Sequence, residues 1–172
     1  MRVLVTGASG YIGGSIADAL LASGRDVVGL VRSEARAAQV RERGMEALIG
    51  TLDDADLLAA AARDADAVIN AANAEHRGVV EAILPALAGS DKPFLQTSGS
   101  SIVADLTAGE PSEAVYDEDT PVYPLPGRAA RVALNDKVLA AAGREDPTAA
   151  SPSLAGAGAT GVPAAMLRQI SG

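Results

Sequence analysis

The chain has 172 residues, enough for one domain of ordinary size and too few for two. Its composition, 48% hydrophobic and 21% charged, is that of a globular protein rather than a disordered one. The net charge is −8 and the two lysines, Lys92 and Lys137, stand far apart, so neither nucleic acid nor an acidic membrane surface is an expected partner.

With no cysteine there is no disulfide, thiolate zinc site or cysteine nucleophile. The single histidine, His76, makes a His-based metal cluster or a Ser-His-Asp triad improbable, and no metal is expected. No apolar run approaches the ~18 residues of a membrane span, and no signal-peptide pattern precedes the first strand, so a cytoplasmic location is expected. One Phe and three Tyr leave a core of Ala, Val, Leu and Ile. Such small side chains bury little area each at about 25 cal/mol per Å², so modest stability is expected without a ligand or partner.

Along the chain, Met1–Thr6 carries the apolar run Val3, Leu4, Val5. Four glycines follow between Gly7 and Gly14, then a helix over Ile16–Ala22 that stops at Gly24. A second strand, Val27–Val31, leads to Ser33, which caps a helix over Glu34–Arg43 ending at Gly44. Ala47–Ile49 is a weaker third strand. Asp53 or Asp54 starts a helix running to Ala62, with acidic residues in its first turn as the helix dipole prefers. Ala67–Ala71 reads as strand four, Gly78–Ala88 as a helix and Pro93–Thr97 as strand five. Short apolar strands alternating with helices predict a doubly wound α/β fold, a parallel sheet with helices on both faces and right-handed crossovers.

After Ser98 the texture changes. Thr107–Gly127 is acidic and proline-rich, a solvated loop, and Arg128–Ala142 returns to helix with Leu134, Val138 and Ala141 on one face. A sixth strand is due within Thr148–Ala157, where Leu154 is the one large apolar residue.

The most specific chemical signal is Thr6-Gly7-Ala8-Ser9-Gly10-Tyr11-Ile12-Gly13, a GxxGxxG loop between a strand and a helix. In that context Gly7 permits a tight turn, Gly10 lets the backbone approach a pyrophosphate, and Gly13 lets the helix pack on the strand. The free amides at the helix start face the phosphates. The competing reading is a purely structural glycine turn. Strand two then ends Leu30-Val31-Arg32-Ser33, where an NAD-type site has a ribose-binding carboxylate. No acid stands there, and Arg32 can pair with a 2′-phosphate, which favours NADP(H) over NAD(H). Against this, Arg32 is a solvated strand end.

The loop TGASGYIGG resembles that of the extended and atypical short-chain dehydrogenase/reductase superfamily, the epimerase/dehydratase group. The likeness continues through Ile49-Gly50-Thr51-Leu52, Val68-Ile69-Asn70-Ala71-Ala72 and Phe94-Leu95-Gln96-Thr97-Ser98-Gly99. It implies a cofactor site formed by the glycine loop (Gly7, Ser9, Gly10, Tyr11, Ile12, Gly13) with Arg32. Leu52 would contact the adenine through its backbone, and Thr51 stands where members have an adenine-binding Asp. Ala71 and Ala72 would line the cleft, with Thr97 and Ser98 beside the nicotinamide ribose.

The superfamily's chemistry uses a Ser or Thr after strand five and a Tyr-x-x-x-Lys on the next helix, the Lys lowering the Tyr pKa. Here neither lysine has a tyrosine four residues before it. Alignment of the helix puts Arg128 at the Tyr position and Val132 at the Lys position, with Gly99 at the Ser/Thr position. The substitute catalytic candidates are Ser98, Ser100 and Tyr123, with Ser101 beside them; each also reads as an ordinary turn or loop residue. Arg128 and Arg131 are candidates to meet an anionic substrate, or a solvated helix start. His76 reads as a helix-start residue, and Glu75 and Asp105 show no paired-carboxylate spacing.

Residues 1–145 therefore read as an NAD(P)-binding domain. Residues 146–172 read as the remnant of a substrate-binding part, with the truncation of a family member as the expectation. Three functions are compatible: an atypical oxidoreductase or epimerase on an unidentified small molecule, a non-catalytic NADP(H) sensor, and an inactive remnant. A homo-oligomer is possible.

Overall fold

The computed structural model describes residues 1–104, 113–117 and 120–141. Five parallel strands form one sheet in the order β3-β2-β1-β4-β5. They are β1 (Arg2–Thr6), β2 (Asp26–Val31), β3 (Glu46–Ile49), β4 (Ala67–Asn70) and β5 (Phe94–Gln96). The helices are α1 (Tyr11–Ala22), α2 (Glu34–Glu42), α3 (Ala55–Asp64), α4 (Arg77–Leu87) and α5 (Ala129–Ala141). This is the doubly wound α/β fold read from the alternation of short apolar strands and helices.

Side chains alternate across the sheet as strand geometry requires. Val3, Val5, Val27, Val31, Ala67 and Ile69 join Ile16, Ala17 and Leu20 of α1 and Ala37 and Val40 of α2 in one core layer. Leu4, Val28, Leu30 and Val68 point the other way, onto Leu58 and Ala62 of α3 and Val79, Ile83 and Leu87 of α4. The central register sets Leu4 against Val28 on one side and Val68 on the other. Both faces are covered, so the strands need no polar alternation.

One boundary and one buried face differ from the sequence reading for physical reasons. The first helix starts at Tyr11, five residues before Ile16, because Gly13 and Gly14 are buried inside it. Their low helix propensity is overridden by close packing. On α5 the buried residues are Leu134, Asn135 and Val138, while Ala141 is exposed. Leu134 and Val138 form a small third cluster with Val80 of α4, and Leu84 and Phe94 pack against it. The expected sixth strand, Asp105 and the 146–172 segment lie outside the described residues.

The amino ends of the strands are tied by one arginine. Arg2 reaches Glu46 of β3 through both terminal nitrogens, at 2.8 and 2.9 Å, and Asp64 at the end of α3 at 3.0 Å. Its backbone N–H donates to Asp66 just before β4 at 2.7 Å. The chain leaves β1 and β4 toward opposite halves of the sheet, and that switch point opens the crevice where α/β folds take ligands.

Candidate functional site

The glycine turn at the end of β1 is built to exclude side chains. Gly7 has φ +70°, a left-handed conformation, and a Cβ there would lie 2.8 Å from the Ala71 oxygen and the Ala72 Cα. A Cβ on Gly13 would come within 2.3 Å of the Gly7 oxygen, so α1 rests directly on the turn. The Gly10 N–H donates to the Gly7 carbonyl at 2.8 Å and closes it. Gly10 caps α1 in an extended conformation without a side-chain bond, and the first turn carries no acid. Tyr11 and Ile12 are 78% and 48% exposed. The amides and positive dipole end of α1 therefore face open space next to Ser9, Ala71 and Ala72, an arrangement suited to a pyrophosphate.

Beneath the crevice, a polar side chain ends each of three adjacent strands. The Thr6 hydroxyl donates to the Asn70 side-chain oxygen, and the Asn70 amide donates to the Gln96 side-chain oxygen at 2.8 Å. Thr6 and Asn70 are buried. Thr97 donates its hydroxyl to the Asn70 carbonyl at 2.5 Å and its backbone N–H to the same oxygen at 3.0 Å. Thr97 thus fastens β5 to β4. Sequence reasoning missed this ladder; its signal was a polar residue closing each of three apolar runs.

Arg32, just past β2, is exposed and makes no hydrogen bond or ion pair among the described residues. Ser33 next to it caps α2 by accepting from the Arg36 N–H at 3.4 Å. After β3, the Thr51 hydroxyl donates to Asp54 at 3.0 Å and accepts from the Asp53 N–H at 3.2 Å. Leu52 is half-buried against the core layer under α3 and α4. His76 caps α4: its Nδ1 accepts from the Val79 N–H at 3.2 Å, while Nε2 stands 3.2 Å from Asp53. That is the helix-start role read for it.

The segment leaving β5 meets α5. Arg131 donates to the Ser101 hydroxyl at 3.0 Å and to Glu75, in the loop after β4, at 2.6 Å. One turn later the Asn135 amide donates to the Ser98 hydroxyl at 2.9 Å. Arg131 and Asn135, rather than Arg128 and Val132, are the pair four residues apart that faces the segment after β5. Lys137 instead bonds Glu81 of α4 at 2.9 Å. Ser100 is exposed, and so is Tyr123, at 87%. The structure thus brings together Gly7–Gly13, Ala71, Ala72, Thr97 and Ser98 at the carboxyl edge of the sheet.

Residues 7–118, more than half of the chain, match the model of the NAD(P)H-binding family. An uncharacterized protein of Saccharomyces cerevisiae is 32% identical over 154 residues, covering 82% of this chain and 51% of that protein. Among solved structures, yeast methylglyoxal/isovaleraldehyde reductase complexed with NADPH is 25% identical with a TM-score of 0.54, covering 61% of this chain and 40% of that one. A nucleoside-diphosphate-sugar epimerase from Pseudomonas aeruginosa, 21% identical, shares the fold with a TM-score of 0.60 over 83% of this chain and 48% of the other. The chain therefore spans about half or less of the length of each protein it is compared with.

Proposed function

The chain belongs to the NAD(P)H-binding family, with the reductase and epimerase likeness its sequence carries, and from that premise we propose that it binds NADP(H) at the crevice and serves an oxidoreductase or epimerase reaction on a small molecule. The pyrophosphate lies on the amides of α1, the adenine beside Leu52 and Thr51, and the nicotinamide ribose near Thr97 and Ser98. When bound, the cofactor supplies hydride chemistry. The chain's own residues position it.

The preference for the phosphorylated cofactor is carried by one observation: Arg32 stands exposed, and without a partner among the described residues, where a ribose-binding acid would otherwise be. The test is Arg32→Ala, read by fluorescence titration with NADPH and NADH. Loss of a charge-assisted contact weakens NADPH about tenfold or more and leaves NADH within about twofold. Equal weakening of both cofactors sinks the 2′-phosphate assignment. A second reading, a cofactor sensor that turns nothing over, is favoured by the exposed position of Tyr123 and the diversion of Lys137 to Glu81.

A further inference from the structure

At the exit of β5, α5 turns a guanidinium and an amide, rather than a phenol and an ammonium, toward Ser101 and Ser98. The replacement is accommodated at Gly99, the position aligned with the usual Ser or Thr. A Cβ on Gly99 would lie 2.6 Å from Arg131 Nη1, closer than real side chains approach. Gly99 thus leaves room for the guanidinium, which supplies N–H donors where a hydroxyl would otherwise stand.

We propose that Arg131 is the substrate-recognising group of this site, and that the substrate carries a carboxylate which takes the place of Glu75 on the guanidinium. This rests on the cofactor-binding reading, which makes the space beside Ser98 the reaction site. Glu75 is an internal stand-in for such a ligand: its oxygen sits 2.6 Å from Arg131 Nη2, showing that a carboxylate fits there. The Glu75 side chain is 46% exposed against 17% for Arg131, so the counter-ion can turn to water while the cation stays fixed. The guanidinium is also under-used. Its Nε is buried without a partner among the described residues, and its fork is shared between Ser101 and Glu75 rather than closed on one carboxylate.

A guanidinium orients an anion and does not give up a proton. Recognition is therefore the role of Arg131. Ser98, whose oxygen accepts from Asn135, donates its O–H to nothing among the described residues and can turn it to the ligand.

The test is calorimetric titration of the full chain saturated with NADPH, using pyruvate, phenylpyruvate and 2-oxoglutarate against their neutral methyl esters. At least one acid binds about tenfold or more tightly than its ester, and Glu75→Gln tightens that acid by a further factor of about ten. Arg131→Gln removes the difference between acid and ester while both variants hold NADPH within about twofold of the unaltered chain. Equal binding of acid and ester overturns the proposal, as does failure of every acid to bind, or survival of the preference in Arg131→Gln. Failure of the unaltered chain to bind NADPH overturns the cofactor reading, and this proposal with it.

Discussion

One methyl group at Gly13 sets a Cβ 2.3 Å from the Gly7 oxygen, and neither partner is a flexible side chain that can swing away. Gly13→Ala therefore pushes α1 off the turn, at a cost of about 1–3 kcal/mol in urea denaturation and with loss of any stabilisation by NAD(P)H. Asn70 gives a second prediction. Asn70→Leu keeps the branched shape but strands the Thr6 hydroxyl and the Gln96 side chain, costing about 1–3 kcal/mol, while exposed Ser100→Ala stays within about 0.5 kcal/mol. The glycines were legible in the sequence because their spacing has one geometric use between a strand and a helix. Asn70, Gln96 and Asn135 were not, since a polar residue in an apolar stripe declares its partner only once the strands are paired. Glu75 and Arg131 stand 56 positions apart, and no spacing rule links them.

The elements are secured unequally. Helix α3 buries Leu58 completely in a large layer, whereas α5 holds on through Leu134 and Val138, still 5% and 8% exposed, in a cluster of three buried residues. Leu58→Ala is expected to cost about 3–4 kcal/mol and Leu134→Ala about 2 kcal/mol in thermal unfolding. Hydrogen exchange should show α5 opening at lower free energy than α1 or β1. An α5 that protects more strongly than β1 would contradict this ordering. The cause of the weak grip was visible in composition: α5 has few large apolar residues, and its buried face spends one position on Asn135. Strand and helix identities were readable for the same reason in reverse, because the sheet is covered on both sides and its strands are continuous apolar runs. The helix at Tyr11 was read short because glycines weaken the local signal that tertiary packing restores.

At the scale of the whole molecule, the Arg2 clasp couples stability to pH. The hydrogen bond from Arg2 holds the Glu46 carboxyl below its ordinary range. A carboxylate so lowered contributes stability above the ordinary carboxylate range, and that contribution fades as pH falls through the lowered folded value. Glu46→Gln should lower the melting temperature at neutral pH and match the unaltered chain in strong acid, a difference that melting curves across the acid range will read. A gap that persists unchanged in acid removes the charge as its cause. Glu46 is exposed and Arg2 only half-buried, so the effect is small.

The parallel sheet sends all five strands the same way, so the Arg2 clasp and the ligand crevice stand at opposite rims. Five residues of β1 at about 3.3 Å each hold those rims roughly 17 Å apart, about twice the distance over which physiological salt damps a charge. The foundation and the reading surface are consequently electrically deaf to one another. Substitutions at Arg32, Arg131 or Glu75, the positions proposed to meet ligands, therefore leave the footing that keeps the chain folded as it was.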